Sequence, residues 1–219
     1  MHRRATIDDA WYETQRDKGR RLVDRYVRVK SHVMDKVNAF ADEHFGTQLI
    51  LGTHMRGTDK GTAHASADLM RVVPPDEYFP HNDAYFEEHG GGKIFIATDQ
   101  RQFIDDVRTR YGNRTLAYDA IRGSSDLNPF EVNDGKGYRK REEALIDCLL
   151  LSRCDYLLKC TSAVGEFAQY FNPEIRSKDL NLTRRKMSFF KRYFFKKWRK
   201  RRMRGLAQKQ RQFLEGEQG

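Results

Sequence analysis

The chain has 219 residues, 38% hydrophobic and 33% charged, a polar balance that still permits a buried core in one domain, or one domain with an appendage. No run of about 18 apolar residues occurs, so no transmembrane helix is expected, and the first residues, MHRRATIDDAW, lack the apolar stretch of a signal peptide. The net charge of +10 is not spread evenly: residues 184–204 hold twelve Lys or Arg and no acid, and setting that +12 aside leaves −2 for the rest, a near-neutral body with a basic C-terminal tail.

Residues 8–45 read as helix, because Leu22, Val23, Tyr26 and Val29, then Val33, Val37 and Phe40, recur at three- or four-residue steps. A break near Lys30-Ser31 divides this stretch, and Gly46 suits its end. The period then changes. Gln48 to Thr53 (QLILGT) is short, apolar and followed by a loop, which predicts a buried strand, and Lys93 to Thr98 (KIFIAT) repeats the pattern after the Gly90-Gly91-Gly92 turn. Arg114 to Tyr118 and Asp155 to Cys160 are two further candidate strands. Helical patterns fall between them at 75–88, 100–111, 138–152 and 162–171. Strands alternating with helices predict an α/β fold with a parallel sheet covered on both faces. The segment 119–137, rich in Gly, Ser, Asp and Asn, reads as a long loop. Cys148, Cys154 and Cys160 are spaced six apart, which fits neither a zinc pattern nor a disulfide framework, so buried thiols are expected.

In parallel α/β sheets, ligands bind beyond the carboxyl ends of the strands. The segment Thr53-His54-Met55-Arg56-Gly57-Thr58-Asp59-Lys60-Gly61-Thr62 follows the first strand and carries two cations, hydroxyls, and glycines that let backbone amides approach an anion. It is neither a Walker loop nor a GxGxxG loop. Its chemistry alone leaves two readings open, a diphosphate cradle or a solvated polar turn.

Three segments together carry a resemblance. LGTHMRGTDK resembles the first motif of the α-1,6-fucosyltransferase and nodulation-fucosyltransferase group, approximately GxHxRRTDK. Ile94 to Asp99 (IFIATD) is similar to that group's strand ending in ATDD, and Asp147 to Ser162 (DCLLLSRCDYLLKCTS) matches its D-x-x-x-L-S-x-x-D-[FY]-L-x-x-x-x-S segment without a gap. Peptide O-fucosyltransferases share weaker versions. The resemblance implies a Rossmann-like domain corresponding to the C-terminal, GDP-fucose-binding half of a GT-B enzyme. It divides the chain into a helical lead-in at 1–46, a nucleotide-sugar domain at 47–183 and a helical tail at 184–219.

The resemblance also implies roles. Arg56 would bind the β-phosphate and stabilise the charge left on GDP as the C1–O bond breaks. His54 would contact the nucleotide near guanine, and Asp59 and Lys60 would shape the loop and sugar site. Asp99 ends the second strand, where a carboxylate meets a hydroxyl or an amide. Asp147 would accept from guanine N1–H and the exocyclic amine, which selects GDP over ADP; read without the family it is a helix-capping or surface acid. Thr161 and Ser162 precede a helix whose N-terminal amides suit a phosphate, and they equally suit a plain N-cap. Tyr78 matches a family tyrosine in HPIEEY-like segments.

Departures from the pattern are Gly57, where the family has a second Arg, Gln100 in place of a second acid, and Ala163 in place of a second Ser. No D-x-D motif occurs in the sequence, in keeping with the metal-independent chemistry of the family, in which arginine replaces the ion; no cofactor is expected beside the donor.

The function implied is inverting transfer of fucose from GDP-fucose to a glycan or protein hydroxyl. The alternative is a degenerate GDP-sugar-binding module without turnover, with a partner domain or chain supplying the acceptor half. A third reading rests on the tail. Met187 to Leu206 interleaves aromatics with Lys and Arg, and Phe190, Phe194 and Trp198 fall four apart. Such a stripe suits docking on the protein body, a membrane surface or nucleic acid. The family role implies the Golgi or endoplasmic reticulum through an upstream targeting segment; without one, a cytoplasmic location is expected.

Overall fold

The computed structural model describes residues 9–57, 72–124, 129–130 and 132–181. Asp59, Lys60 and the tail from 184 onward lie outside the described residues.

Two helices open the chain, α1 (Asp9–Tyr26) and α2 (Ser31–His44). They are separated at the expected break, where the backbone of Lys30 is extended. The sheet then alternates with helices: β1 (Ile50–Met55), α3 (Pro75–His89), β2 (Lys93–Thr98), α4 (Arg101–Tyr111), β3 (Thr115–Leu116), α5 (Gly137–Leu151), β4 (Tyr156–Lys159), α6 (Ala163–Phe171) and β5 (Arg176–Asp179). All strand pairings are parallel and the order is β3-β2-β1-β4-β5. The expected α/β architecture is therefore present. The chain winds outward from β1 to β2 and β3, returns, and winds the other way to β4 and β5. The topological switch point lies between β1 and β4, the place where open parallel sheets bind ligands at the carboxyl ends of their strands.

Side chains of successive strand residues point to opposite faces, and both faces are covered. Ile50, Phe95, Ala97 and Leu157 face a core completed by Val33 and Val37 of α2 and by Ile146, Leu149 and Leu150 of α5. Leu51, Met55, Ile94, Ile96 and Leu158 face the other core, with Tyr78, Tyr85 and Phe86 of α3 and Phe103, Ile104 and Val107 of α4. The lead-in helices pack on this body, α1 against α6 and α2 against α5. A Cβ at Gly19 would sit 2.7 Å from the Tyr170 ring, so glycine lets α1 approach α6.

The expected strand at 48–53 is displaced by two residues and runs through His54 to Met55. The displacement follows from burial: every residue of β1 is buried, and Leu49 ends the turn instead, its carbonyl accepting from Lys93 N. The turn before β2 needs its glycines. Gly90 caps α3 at φ 73, and at Gly92, at φ 128, a Cβ would come within 2.6 Å of the Leu49 carbonyl oxygen. The edge strand β5 has no sequence precedent, since Arg176-Ser177-Lys178-Asp179 is wholly polar. All three cysteines are free and buried, as expected. No helix among the described residues is long and apolar enough to cross a membrane.

Candidate functional site

The carboxyl ends of β1, β2, β4 and β5 lie along one side of the sheet, and His54, Arg56, Asp99, Thr161 and Ser162 stand at or just past them. Register places His54 beside Lys159 on one side and Ala97 on the other, and pairs Met55 with Thr98.

His54 is buried on the face of β1 that meets α6. Its Nδ1 lies 3.9 Å from Cys160 Sγ. A Cβ at Gly165, one turn into α6, would lie 3.1 Å from the same nitrogen and 3.2 Å from Lys159 Cβ. Glycine at this position brings the first turn of α6 against the histidine. Tyr78 is fully buried on α3, and its hydroxyl donates to the backbone carbonyl of His54 at 2.9 Å. The geometry thus joins Tyr78 to the backbone of the strand end.

Arg56 follows β1 and Asp99 follows β2. Arg56 Nε lies 3.2 Å from Asp99 Oδ2, and Gly57 N donates to Asp99 Oδ1 at 3.0 Å. One carboxylate therefore fixes both the guanidinium and the backbone at the start of the polar loop. Both side chains are largely buried, so the pair is held more firmly than a surface ion pair. Gly57 leaves room for a neighbour: a Cβ there would lie 2.6 Å from Gln100 Cδ. The two departures from the family pattern, Gly57 and Gln100, are thus in contact, and the Gln100 side chain occupies the space beside residue 57.

Asp147 is buried on α5 rather than displayed as a surface acid. Its Oδ2 accepts from Arg122 Nη1 at 3.1 Å, and its Oδ1, also buried, has no hydrogen-bond partner among the described residues. Burial pushes this carboxyl above the usual carboxylate range, and the Arg122 guanidinium opposes that push. Arg122 itself is nearly sealed from solvent and also donates to the carbonyls of Thr98 and Tyr118. Through Arg122, Asp147 is linked to Thr98, the last residue of β2.

The β4 end is organised differently. Thr161 N donates to Asn181 Oδ1 at 2.8 Å, and its hydroxyl donates to the Asp179 carboxylate at 3.1 Å. Ser162 occupies the N-cap position of α6 with an extended backbone and no side-chain cap bond. Of the two hydroxyls expected to meet a phosphate, Thr161 is engaged by Asp179 and Ser162 makes no cap bond. Lys159, almost completely buried, ties Asp179 at 3.1 Å to Glu166 at 2.9 Å. Glu166 in turn lies 3.4 Å from Arg16 Nε on α1.

Sequence reasoning missed Arg122, Lys159, Asp179 and Asn181. The last three are polar residues at a strand end or on a polar edge strand, and Arg122 stands within the Gly- and Ser-rich loop. The contacts that give them a place, to Asp147, Asp179 and Thr161, join residues 18 to 25 apart in the chain.

The family model for the α-(1,6)-fucosyltransferase N- and catalytic domains matches residues 20–167, which span β1, β2, α5, β4 and the start of α6 and contain His54, Arg56, Asp99 and Asp147. The chain belongs to this family. Solved structures similar to it include fucosyltransferase NodZ from Bradyrhizobium, at 22% identity over 73% of this chain and 48% of that one, with a TM-score of 0.48. NodZ α-1,6-fucosyltransferase soaked with GDP-fucose is 24% identical over 73% of this chain and 48% of that chain, with a TM-score of 0.47. POFUT1 in complex with GDP-fucose is 10% identical over 78% of this chain and 49% of its own, with a TM-score of 0.48. The chain thus spans about half the length of these solved fucosyltransferases. No curated protein matches it in sequence.

Proposed function

We propose that this fucosyltransferase-family chain binds GDP-fucose at the carboxyl ends of β1, β2 and β4 and supports inverting transfer of fucose to a glycan or protein hydroxyl. One observation carries the reading: a buried carboxylate oxygen, Asp147 Oδ1, has no hydrogen-bond partner among the described residues, and its carboxylate is tied through Arg122 to Thr98 at the end of β2, the strand that Asp99 and its partner Arg56 adjoin. A buried acceptor left unpaired costs about 1–3 kcal/mol. A guanine base, with N1–H and an exocyclic amine, would satisfy it, and adenine presents no such pair of donors on that edge. In this reading His54 contacts the nucleotide near the guanine. Arg56, held by Asp99, meets the β-phosphate.

In the reaction, the acceptor oxygen forms a bond to C1 as the bond from C1 to the phosphate oxygen breaks. The acceptor proton leaves to a base, and the electron pair stays on GDP. Arg56 lowers the barrier by stabilising that developing charge, in a site where its guanidinium is already oriented. Asp59, Lys60, Thr161 and Ser162 complete the sugar and phosphate surroundings in this reading. The absence of a D-x-D motif from the sequence supports metal-independent binding, with Arg56 in the place of an ion. Chelation should then leave GDP affinity unchanged, and a tenfold loss, about 1.4 kcal/mol, would contradict it.

A second reading is a module that holds the donor without turnover. The Gly57–Gln100 contact favours it, because the side chain of Gln100 takes the space beside residue 57 and contributes no charge. Transfer also needs the acceptor oxygen held near C1, roughly 3–3.5 Å away, with water kept out. In the two-domain arrangement a facing domain or partner chain provides that enclosure. The 219 residues taken alone are therefore expected to bind donor and transfer slowly or not at all. The deciding experiment incubates the purified chain with labelled GDP-fucose and a panel of glycan and peptide acceptors, with residues 184–219 present and deleted. Efficient incorporation of label would establish a self-sufficient transferase; donor binding without incorporation supports the module.

A further inference from the structure

Arg122 lies in the Gly- and Ser-rich loop after β3, yet its position is fixed by backbone contacts. Gly123 N donates to the Asp99 carbonyl at 2.8 Å, and Arg101 N donates to the Gly123 carbonyl at 3.0 Å. Ile121 N donates to Glu143 Oε2 at 2.7 Å. The segment is thereby stitched to the end of β2 and to α5, with Arg122 at its centre. Its guanidinium then makes three contacts: the Thr98 carbonyl, the Tyr118 carbonyl at 2.9 Å and Asp147 Oδ2 at 3.1 Å. Both partners of the ion pair are more than nine-tenths buried. The contact is one-sided, since a single carboxylate oxygen is engaged and the other, also buried, has no partner among the described residues.

We propose that Arg122 is a positioning residue for nucleotide recognition: it holds the Asp147 carboxylate ionised and by one oxygen, so that the other stands ready to accept from the base of a bound nucleoside diphosphate. The inference rests on the donor-binding reading above. Its physical basis is the cost of a lone buried charge. A carboxylate this deep, without a cation, retains its proton, and a protonated Asp147 presents a donor where the base also presents donors. Among the described residues, the other ionisable groups facing Asp147 are Glu143 and Cys148 on its own helix and Tyr118 beside Arg122. None of these is a cation, so Arg122 supplies the compensating charge. Lys36 reaches Glu142 instead.

The test compares the full chain with Arg122→Gln and Arg122→Lys by calorimetric titration of GDP from about pH 6.5 to about pH 8.5. Arg122→Gln should lose about tenfold or more in affinity at the lower pH relative to the higher, because Asp147 without its cation takes up a proton as the pH falls. The parent chain and Arg122→Lys should hold a flatter profile. With Asp147→Asn added, the pH dependence of Arg122→Gln should vanish. Identical profiles for the parent and Arg122→Gln would overturn the proposal, as would a steep profile for Arg122→Lys.

A second readout needs no nucleotide. The carboxyl carbon resonance of Asp147, assigned by its loss in Asp147→Asn, should titrate higher in Arg122→Gln than in the parent; an unmoved midpoint overturns the proposal. Failure of every chain to bind GDP would count against the donor-binding reading, and the carboxyl titration would then decide the role of Arg122 alone. If Arg122→Gln does not fold, Arg122→Lys carries both measurements, with a midpoint near that of the parent expected and a clear rise contradicting the proposal.

Discussion

Asp99 binds Arg56 through one carboxylate oxygen, at 3.2 Å from Nε, and the backbone of Gly57 through the other, at 3.0 Å. The guanidinium that the proposed chemistry requires is therefore positioned from the neighbouring strand, and the loop after β1 starts from a fixed point. Arg56→Lys keeps the charge and loses the planar fork as well as the Nε contact. GDP affinity should fall by about 1–3 kcal/mol, while GMP affinity changes little. Calorimetry with both nucleotides checks this, and equal losses for the two would make Arg56 a structural residue rather than a β-phosphate ligand.

Gly165 is required by the approach of α6 to β1. A Cβ there meets His54 Nδ1 at 3.1 Å and Lys159 at 3.2 Å. Replacing a helical glycine by alanine gains up to about 1 kcal/mol in helix propensity, whereas overpacking costs typically about 1–3 kcal/mol. Gly165→Val brings a β-branched side chain into the same space, so crowding should win. Loss of thermal stability together with weaker GDP binding is the expected result. Stability unchanged with His54 undisturbed would show that α6 yields easily.

Burial, and next the nearby Asp147, push the Cys148 thiol up to about 12. An unfolded cysteine titrates near 8.5. The folded chain thus keeps its proton over a window in which the unfolded chain loses it, and stability falls as pH rises from about 8.5 toward 12. The slope from this thiol approaches about 1.4 kcal/mol per pH unit. Cys148→Ala should flatten the alkaline fall measured by urea denaturation between about pH 8.5 and 10. An unchanged slope would show that Cys148 does not govern it.

The sequence made the architecture legible wherever apolar periodicity carried it. Lys93 to Thr98 is a strand at the expected bounds, and the break before Ser31 divides the two lead-in helices. Sequence reasoning stopped where position is set by distant partners. The strand β5 is polar because it lies at the sheet edge and joins the core through backbone pairing with β4. Its Asp179 is recognisable only beside Lys159 and Thr161. Arg122 belongs to the same class, as a cation in a loop whose role depends on a carboxylate 25 residues later. Motif resemblance marks His54, Arg56, Asp99 and Asp147; the first three stand at the carboxyl ends of β1 and β2, and Asp147 on α5 reaches Thr98 of β2 through Arg122. The same resemblance marks Thr161, whose hydroxyl is engaged by Asp179.

The central claim is that the α/β body binds a guanine nucleoside diphosphate, with Asp147 reading the base. Calorimetric titration of the chain with GDP, ADP and UDP, repeated on Asp147→Asn, tests it most directly. GDP should bind most tightly, and the substitution should weaken GDP by about 1–3 kcal/mol while leaving ADP and UDP nearly unchanged. Equal affinity of the parent chain for all three diphosphates would contradict it.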